Sequence, residues 1–154
     1  MGFWRNEAHA FCFQEAGEAY GVSPLLLEAI MIVESQGNAS AINHNSDGSY
    51  DFGLMQINSS WAKLWGLEVW NTLGDPSFSV YAGAYVVAEC IKRYGQTWDA
   101  VGCYNAGSTP KKIDYIRKVK EVYERLVSER MNEEGEGYPA NNREEGQGSC
   151  CGAH

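Results

Sequence analysis

Glu34 is the side chain whose neighbours in the sequence first point to chemistry. The apolar residues Leu27, Ile30 and Met31 lie seven, four and three positions before it, so a helix would place all four side chains on one face. A carboxyl group at the end of an apolar stripe loses hydration, which raises its pKa and keeps its proton near neutral pH. Such a group can act as a general acid. The alternative is a glutamate at a helix end that turns toward solvent.

Asp51 is the candidate for a second carboxyl group at the same site. Between the two acids, Asp47-Gly48 is a strong signal for a tight turn, and a hairpin there would carry Asp51 back toward Glu34. Two carboxyl groups across a polar cleft, one with apolar and one with hydrogen-bonding neighbours, are typical of glycosidic bond cleavage. The alternative is an aspartate that organises the loop through its own backbone.

The elements that must position these residues are mainly helical, because apolar residues recur at spacings of three and four along most of the chain. Ser23-Pro24 predicts the start of a helix over 25–35, which carries Glu34. The polar segment 38–51 predicts a short β-hairpin. Further helices are predicted over 7–19, 60–65, 79–94 and 97–104 and from Thr109 onward, the last with an apolar stripe formed by Ile113, Ile116, Val119, Tyr123 and Leu126.

Length and composition fit one globular domain. The chain has 154 residues, of which 44% are hydrophobic and 21% are charged. We expect a domain over residues 4–130 and an acidic, Gly/Glu-rich, disordered tail over 131–154, where the helical periodicity ends. The net charge of −8 argues against nucleic acid as a partner, because phosphate binding needs clustered basic residues. No run of about 18 apolar residues predicts a membrane span.

The cysteines do not reveal their pairing in the sequence. Three lie in the predicted domain and two in the tail. The ending Cys150-Cys151-x-x-His154 suggests a metal site, but two adjacent cysteines do not easily face one tetrahedral ion. We therefore favour a plain tail and expect neither a metal ion nor a cofactor. The cysteines of the domain are Cys12, Cys90 and Cys103.

Three motifs in a fixed order give the chain a family resemblance. Glu34-Ser35, the run 53–57 (Gly-Leu-Met-Gln-Ile) and the run 104–107 (Tyr-Asn-Ala-Gly) resemble the motifs of the soluble lytic transglycosylase domain. The segment 45–53 also resembles C-type lysozymes, whose two carboxylates have the spacing seen here. The resemblance covers residues 12–125. It implies a lysozyme-like fold of the mainly α (α+β) class, a helical bundle around a substrate cleft with a small β-hairpin.

Within this superfamily, the chain is similar to small specialised transglycosylases that accompany conjugation, type IV secretion, type III secretion and type IV pilus machines. The runs 12–13, 25–30, 51–59 and 100–102 carry this similarity. That group often has Cys after Asp-Pro, where this chain has Ser77, so the disulfide pattern stays open. The similarity implies peptidoglycan strands as substrate and proteins of such a machine as partners.

The same similarity also predicts the cellular location of the protein. The N-terminal residues become charged before an apolar stretch can form, so they do not resemble a signal peptide. Either the protein is not exported by that route, or the chain is a mature form that begins with a new Met. We favour the second interpretation, because the resemblance implies a periplasmic protein.

The resemblance also implies a role for Glu34. It would protonate the glycosidic oxygen between N-acetylmuramic acid and N-acetylglucosamine. It would then take the proton from the 6-hydroxyl of the sugar, which attacks the anomeric carbon and leaves a 1,6-anhydro end without consuming water. The N-acetyl group of the substrate would stabilise the intermediate, so one carboxylate suffices.

Five further residues are candidates for substrate binding. Gln56 and Tyr104 resemble family residues that line the cleft, and hydrogen bonds to the N-acetyl group or to Glu34 would suit them. Weaker candidates are Ser35, Asn105 and Met55. The first two of these equally suit hydrogen bonding at helix ends, and the methionine equally suits core packing.

Three functions remain open at this point. A lytic transglycosylase is favoured, because the 104–107 motif belongs to that family. A lysozyme-type hydrolase, or muramidase, would use both Glu34 and Asp51, since lysozymes need a second acid that typical transglycosylases lack. A non-catalytic, peptidoglycan-binding assembly module is disfavoured, because it has no need of a carboxyl group with apolar neighbours.

Overall fold

The computed structural model describes residues 11–105 and 107–135. These residues form helices and one small antiparallel sheet, which confirms the mainly α, lysozyme-like class expected from the sequence. The sheet lies between the second and third helices of the chain. The helices are α1 (Phe13–Tyr20), α2 (Pro24–Ser35), α3 (Trp61–Trp65), α4 (Leu67–Thr72), α5 (Pro76–Tyr94), α6 (Trp98–Tyr104) and α7 (Thr109–Gly135), and the strands are β1 (Ile42–His44), β2 (Tyr50–Phe52) and β3 (Ile57–Asn58).

Helix α2 begins and ends where its sequence predicts. The Ser23 Oγ accepts a hydrogen bond from the Leu26 N–H at 3.3 Å, and Pro24 occupies the first turn, where a missing N–H costs nothing. At the other end Gln36 adopts a φ of 52°, which stops the helix directly after Ser35. The last turn of α2 is thereby held in a defined position.

The predicted hairpin is present, and a third strand extends it. Strand β1 pairs with β2 so that Asn43 lies opposite Asp51, and β2 pairs with β3 so that Asp51 lies opposite Asn58. In the turn between β1 and β2, the Asp47 Oδ1 accepts hydrogen bonds from the Ser49 N–H at 2.9 Å and the Ser49 hydroxyl at 2.6 Å. The third strand was not predicted, because two residues are too few to show an alternating pattern.

Helix α5 packs on the segment between β2 and β3. Met55 in that segment is fully buried, and a Cβ added at Gly83 of α5 would lie 2.7 Å from its Cε. A glycine at this position therefore makes room for the methionine side chain. The buried Ser79 Oγ of α5 accepts a hydrogen bond from the Met55 N–H at 3.0 Å, which fixes the segment against the helix.

Helix α7 packs with most of its predicted face, through Val119, Tyr123 and Leu126, but not with Ile113. Ile113, placed in the apolar stripe by sequence, is 64% exposed, whereas Tyr115 is only 5% exposed and packs in the core with Val119 and Leu126. Two positions along a helix correspond to about 200° of rotation, so residues 113 and 115 face opposite ways. The helix continues to Gly135, beyond the domain end predicted at residue 130. The residues 136–154 of the predicted tail lie outside the described residues, as do residues 1–10.

A disulfide bond joins Cys90 of α5 to Cys103 of α6, a pairing that the sequence left open. The Cys12 Sγ lies 3.4 Å from the Ser77 Oγ, so the departure from the family pattern falls next to this cysteine. Across residues 11–105 and 107–135, no cluster of His, Cys, Asp and Glu has the arrangement of a metal site. The three tail residues considered and disfavoured as metal ligands lie outside this part of the chain, and they are Cys150, Cys151 and His154.

In the described part of the chain, no single helix is both long enough and apolar enough to cross a membrane. Helices α1 and α2 reach that length and composition only together, across a bend of 118°.

Candidate active site

Glu34 lies in the last turn of α2 and is half-buried. Leu27, Ile30 and Met31 are buried on the same helix, as the apolar stripe predicts. Burial raises the pKa of the Glu34 carboxyl from 4.5 to about 7; an interaction with the Tyr115 hydroxyl lowers it, and the charge of Asp51 raises it. Near neutral pH the group is therefore divided between its protonated and its charged form, so it can both donate and accept a proton.

Tyr115 of α7 lies at the site although no sequence motif predicted it. Burial and the charge of Glu34 raise its pKa well above the usual value for tyrosine. Its hydroxyl lies close enough to the Glu34 carboxyl for each group to affect the other's pKa, but they do not have the geometry of a formed hydrogen bond. Within residues 11–105 and 107–135, this hydroxyl is the buried side-chain polar atom that lacks a hydrogen-bond partner. It is therefore available to the Glu34 carboxylate or to a bound ligand.

Asp51 of β2 has a polar environment. Its Oδ1 accepts a hydrogen bond from the Asn58 Nδ2 at 2.9 Å, and its Oδ2 accepts one from the Asn45 Nδ2 at 3.2 Å. Both asparagines also donate to the Ser49 Oγ, at 3.1 and 3.2 Å. Asp51 lies near enough to Glu34 for its charge to raise the pKa of that carboxyl. A joint catalytic role of the two acids stays a prediction.

The loop of residues 53–56, which we call the central loop, belongs to one of the three sequence motifs and is hydrogen-bonded to the other two. The Ser35 hydroxyl donates to the Leu54 carbonyl at 2.6 Å, and the Tyr104 hydroxyl donates to the Met55 carbonyl at 2.6 Å. These two bonds join the central loop to α2 and to α6. Each hydroxyl thus fixes backbone near Glu34, and direct contact of either residue with substrate stays a prediction.

Gln56 belongs to the central loop and is 7% exposed. Its Oε1 accepts a hydrogen bond from the Asn43 Nδ2 at 2.7 Å, and its Nε2 donates to the Ala41 and Gly53 carbonyls at 3.0 and 2.9 Å. The predicted hydrogen bond from Gln56 to Glu34 is wrong for this structure, because the amide is used in joining β1 to the central loop. Contact with the N-acetyl group of a substrate stays a prediction.

The two remaining candidates lie in different places. Met55 is 0% exposed and packs in the core, so placing it under a sugar is wrong for this structure, and the core alternative holds. Asn105, at the end of α6, lines a cavity beside Glu34, and its contact with substrate stays a prediction.

The cavity has a volume of about 310 Å³, which is at the lower end of the range for small-ligand sites. It is open to solvent and borders Glu34 on the side of α7. Asp51 does not line it. The residues that shape its polar part are Glu34, Asn105, Lys111, Asp114, Tyr115 and Lys118.

Comparison with known proteins identifies the family of the chain. Residues 11–127 match the family described as the transglycosylase SLT domain. The chain is 42% identical to the invasion protein IagB of Salmonella typhimurium over 128 residues, which cover 79% of this chain and 80% of the relative. It is 39% identical to the protein IpgF of Shigella flexneri over 122 residues, 77% of this chain and 80% of the relative. The X polypeptide of Escherichia coli is 35% identical over 126 residues, 76% of this chain and 75% of the relative. The chain therefore belongs to the transglycosylase SLT domain family of lytic transglycosylases, for which peptidoglycan is the implied substrate.

Proposed function

We propose that this protein cleaves the β-1,4 bond between N-acetylmuramic acid and N-acetylglucosamine in peptidoglycan and forms 1,6-anhydro-N-acetylmuramic acid. Glu34 is the general acid and then the general base. The observation that carries this proposal is the position of Glu34, a carboxyl group with a pKa of about 7 at the edge of a cavity, in a chain of this family.

The reaction has two proton transfers, and one carboxyl group can perform both. In the first, protonated Glu34 gives its proton to the glycosidic oxygen while the bond from that oxygen to the anomeric carbon breaks. In the second, the Glu34 carboxylate accepts the proton of the 6-hydroxyl, whose oxygen bonds to the anomeric carbon. A pKa of about 7 suits both steps, because neither protonation state is strongly disfavoured at neutral pH.

Two neighbours support these steps by charge and hydrogen bonding. The unpartnered Tyr115 hydroxyl donates to the Glu34 carboxylate after the first transfer. The negative charge of Asp51 favours the positive charge that develops at the anomeric carbon. The same charge raises the pKa of Glu34 and so favours its acid form.

A second candidate reaction is hydrolysis, with Glu34 as acid and Asp51 as the second carboxylate of a muramidase. The environment of Asp51 favours hydrolysis. Asparagine amides donate to both of its carboxylate oxygens, and its charge acts on Glu34. Water would then complete the reaction and leave a reducing end. A module that binds peptidoglycan without cleaving it is the third candidate, and the raised pKa of Glu34 has no use in it.

In the cell, we propose that the enzyme acts in the periplasm and opens the wall locally for an envelope-spanning secretion or conjugation machine, whose proteins are its partners. The resemblance to specialised transglycosylases supports this role, as does the similarity to a protein named as an invasion protein. Fractionation of the natural host with immunodetection should find the protein in the periplasm. Detection only in the cytoplasm would contradict the proposal.

Mass spectrometry of digested peptidoglycan tests the reaction. The wild type should release muropeptides with anhydro ends, which are lighter than reducing ends by one water. Glu34→Gln keeps the shape of the side chain but removes the acidic proton, so it should release about 10³-fold less in the same time. Glu28→Gln is the matched control, because Glu28 lies on the same helix, pairs with Arg130 at 3.4 Å and does not line the cavity. Reducing ends would favour the muramidase, and undiminished cleavage by Glu34→Gln would rule out both reactions.

A further inference from the structure

The first half of α7 has a charge opposite to that of the whole chain. Residues 109–120 contain five basic residues and one acidic residue, whereas the net charge of the chain is −8. The basic residues are Lys111, Lys112, Arg117, Lys118 and Lys120, and the acidic one is Asp114.

One face of this segment forms a wall of the cavity beside Glu34. Lys111, Asp114, Tyr115 and Lys118 are spaced at i, i+3, i+4 and i+7, so they lie on the same side of the helix, and all four line the cavity. Tyr115 on this face is also the residue whose hydroxyl approaches Glu34. Two positive charges, of Lys111 and Lys118, and the negative charge of Asp114 therefore border the space that a substrate would occupy next to the acid.

The two lysines of this wall differ in their partners. The Lys118 Nζ lies 2.8 Å from the Asp114 Oδ2, so its charge is paired within the helix. Lys111 is exposed and forms neither an ion pair nor a hydrogen bond with any residue in the described part of the chain. Its charge is thus the one on this wall that a ligand can use.

Packing places Lys111 over the cavity. A Cβ added at Gly107 would lie 3.1 Å from the Lys111 Cβ and 3.2 Å from the Asn105 Oδ1. The aliphatic part of the lysine therefore lies close over Gly107, next to the asparagine that also lines the cavity.

We propose that Lys111 binds a carboxylate of the muramic acid side of the substrate and so determines specificity for peptidoglycan. This inference rests on the proposed function. N-acetylglucosamine has no carboxyl group, whereas N-acetylmuramic acid has a lactyl group that ends either in a free carboxylate or in a peptide with carboxylates of its own. Both sources present the same chemistry to an ammonium group.

A cycle of protein and substrate changes tests this inference. Lys111→Met removes the charge and keeps much of the side chain, Lys111→Arg keeps the charge, and Lys120→Met is the control. Lys120 is nine residues further along α7, which places it on the opposite face, and it does not line the cavity. The substrates are glycan strands with peptides and strands freed of peptides by an amidase, each with carboxylates intact or chemically amidated.

On strands with intact carboxylates, Lys111→Met should lower kcat/KM by about five- to tenfold, mainly through KM, as expected for one charge-assisted contact in a partly open site. Lys111→Arg and Lys120→Met should stay close to the wild type. Amidation of the strands should lower the wild-type value by a similar factor and should leave the Lys111→Met value unchanged. A loss confined to peptide-bearing strands would identify the peptide carboxylates, and a loss on peptide-free strands would identify the lactyl group.

An equal loss for Lys111→Met on intact and amidated strands would overturn the inference, as would an equal loss for Lys120→Met. The absence of wild-type turnover on every strand would instead overturn the proposed function, and this inference with it.

Discussion

The two carboxyl groups of the site differ in what surrounds them. Glu34 ends an apolar stripe on α2 and loses hydration, so it retains a proton near neutral pH. Asp51 lies on the small sheet, where two asparagine amides donate to its oxygens. One chemical group thus becomes a proton donor on the helical side and a fixed negative charge on the sheet side. The roles follow from local packing and hydrogen bonding.

The central loop connects these two environments. Ser35 and Tyr104 fix its carbonyls from the helical side, and Asn43 bonds to the Gln56 amide from the sheet side. Motif residues that a sequence comparison would assign to substrate binding are here used to hold the two halves of the site together. The contrast between Glu34 and Asp51 therefore depends on groups that touch neither carboxyl.

The largest effect should come from removing each carboxyl in turn. Glu34→Gln should lower kcat on peptidoglycan by about 10³-fold, within the range for loss of a general acid. Asp51→Asn should lower it by about tenfold, because it removes a charge but no proton transfer. Turbidity loss of purified walls and counting of released muropeptides would measure both. Equal losses for the two variants would contradict the single-acid account and favour the muramidase.

The same substitution at Glu34 should increase stability. The pKa of this carboxyl is 4.5 in the unfolded chain and about 7 in the folded chain. Between these two pH values the unfolded chain has lost the proton that the folded chain still holds, so folding becomes less favourable as pH rises. Glu34→Gln should therefore raise the free energy of unfolding by about 2 kcal/mol at pH 8 and by little at pH 4. Urea denaturation at both pH values measures the difference. A gain of equal size at both would show that burial of the charge is not its cause.

Removing the hydroxyl of Tyr115 should affect mainly activity, whereas removing that of Tyr104 should affect mainly stability. Tyr115→Phe removes a hydroxyl without a hydrogen-bond partner, so stability should change little. It should lower kcat by about threefold to tenfold and move the pH midpoint of activity upward, since the hydroxyl lowers the pKa of Glu34.

Tyr104→Phe removes the bond to the Met55 carbonyl and should cost about 1–2 kcal/mol of unfolding free energy. Thermal denaturation and pH–rate profiles of both variants would measure these effects. An unchanged pH profile in Tyr115→Phe would contradict the proposed contact with Glu34.

The smallest effect concerns the link from α2 to the central loop. Ser35→Ala removes the hydrogen bond to the Leu54 carbonyl and should lower the unfolding free energy by about 1 kcal/mol. Ser40→Ala, at an exposed position between α2 and β1, should change it by less than about half of that. Similar losses for the two variants would show that the link contributes nothing specific.

The sequence was sufficient to predict those features whose signal lies within a few neighbouring residues. The stripe before Glu34 predicted its burial, and Asp47-Gly48 predicted the turn that returns Asp51. Ser23-Pro24 predicted the start of α2. Each of these depends on residues within a few positions of one another, so helical periodicity and turn chemistry are enough to find them.

The sequence was insufficient to predict contacts between segments that lie far apart along the chain. Tyr115 reaches Glu34 from 81 positions away along the chain, and its signal was only the spacing to Val119 and Leu126, which competed with an apolar stripe through Ile113. The internal hydrogen bonds of Gln56 also required the sheet to be formed. Contacts of this kind depend on tertiary packing, which no local pattern encodes.

The most direct test of the account is a titration of the Glu34 carboxyl carbon by ¹³C NMR, with Glu34→Gln used to assign the signal. We expect a pKa of about 7 in the wild type and a lower value in Asp51→Asn, because the charge of Asp51 raises the pKa of Glu34. A wild-type value near 4.5 would contradict the claim that Glu34 carries the proton for cleavage at neutral pH.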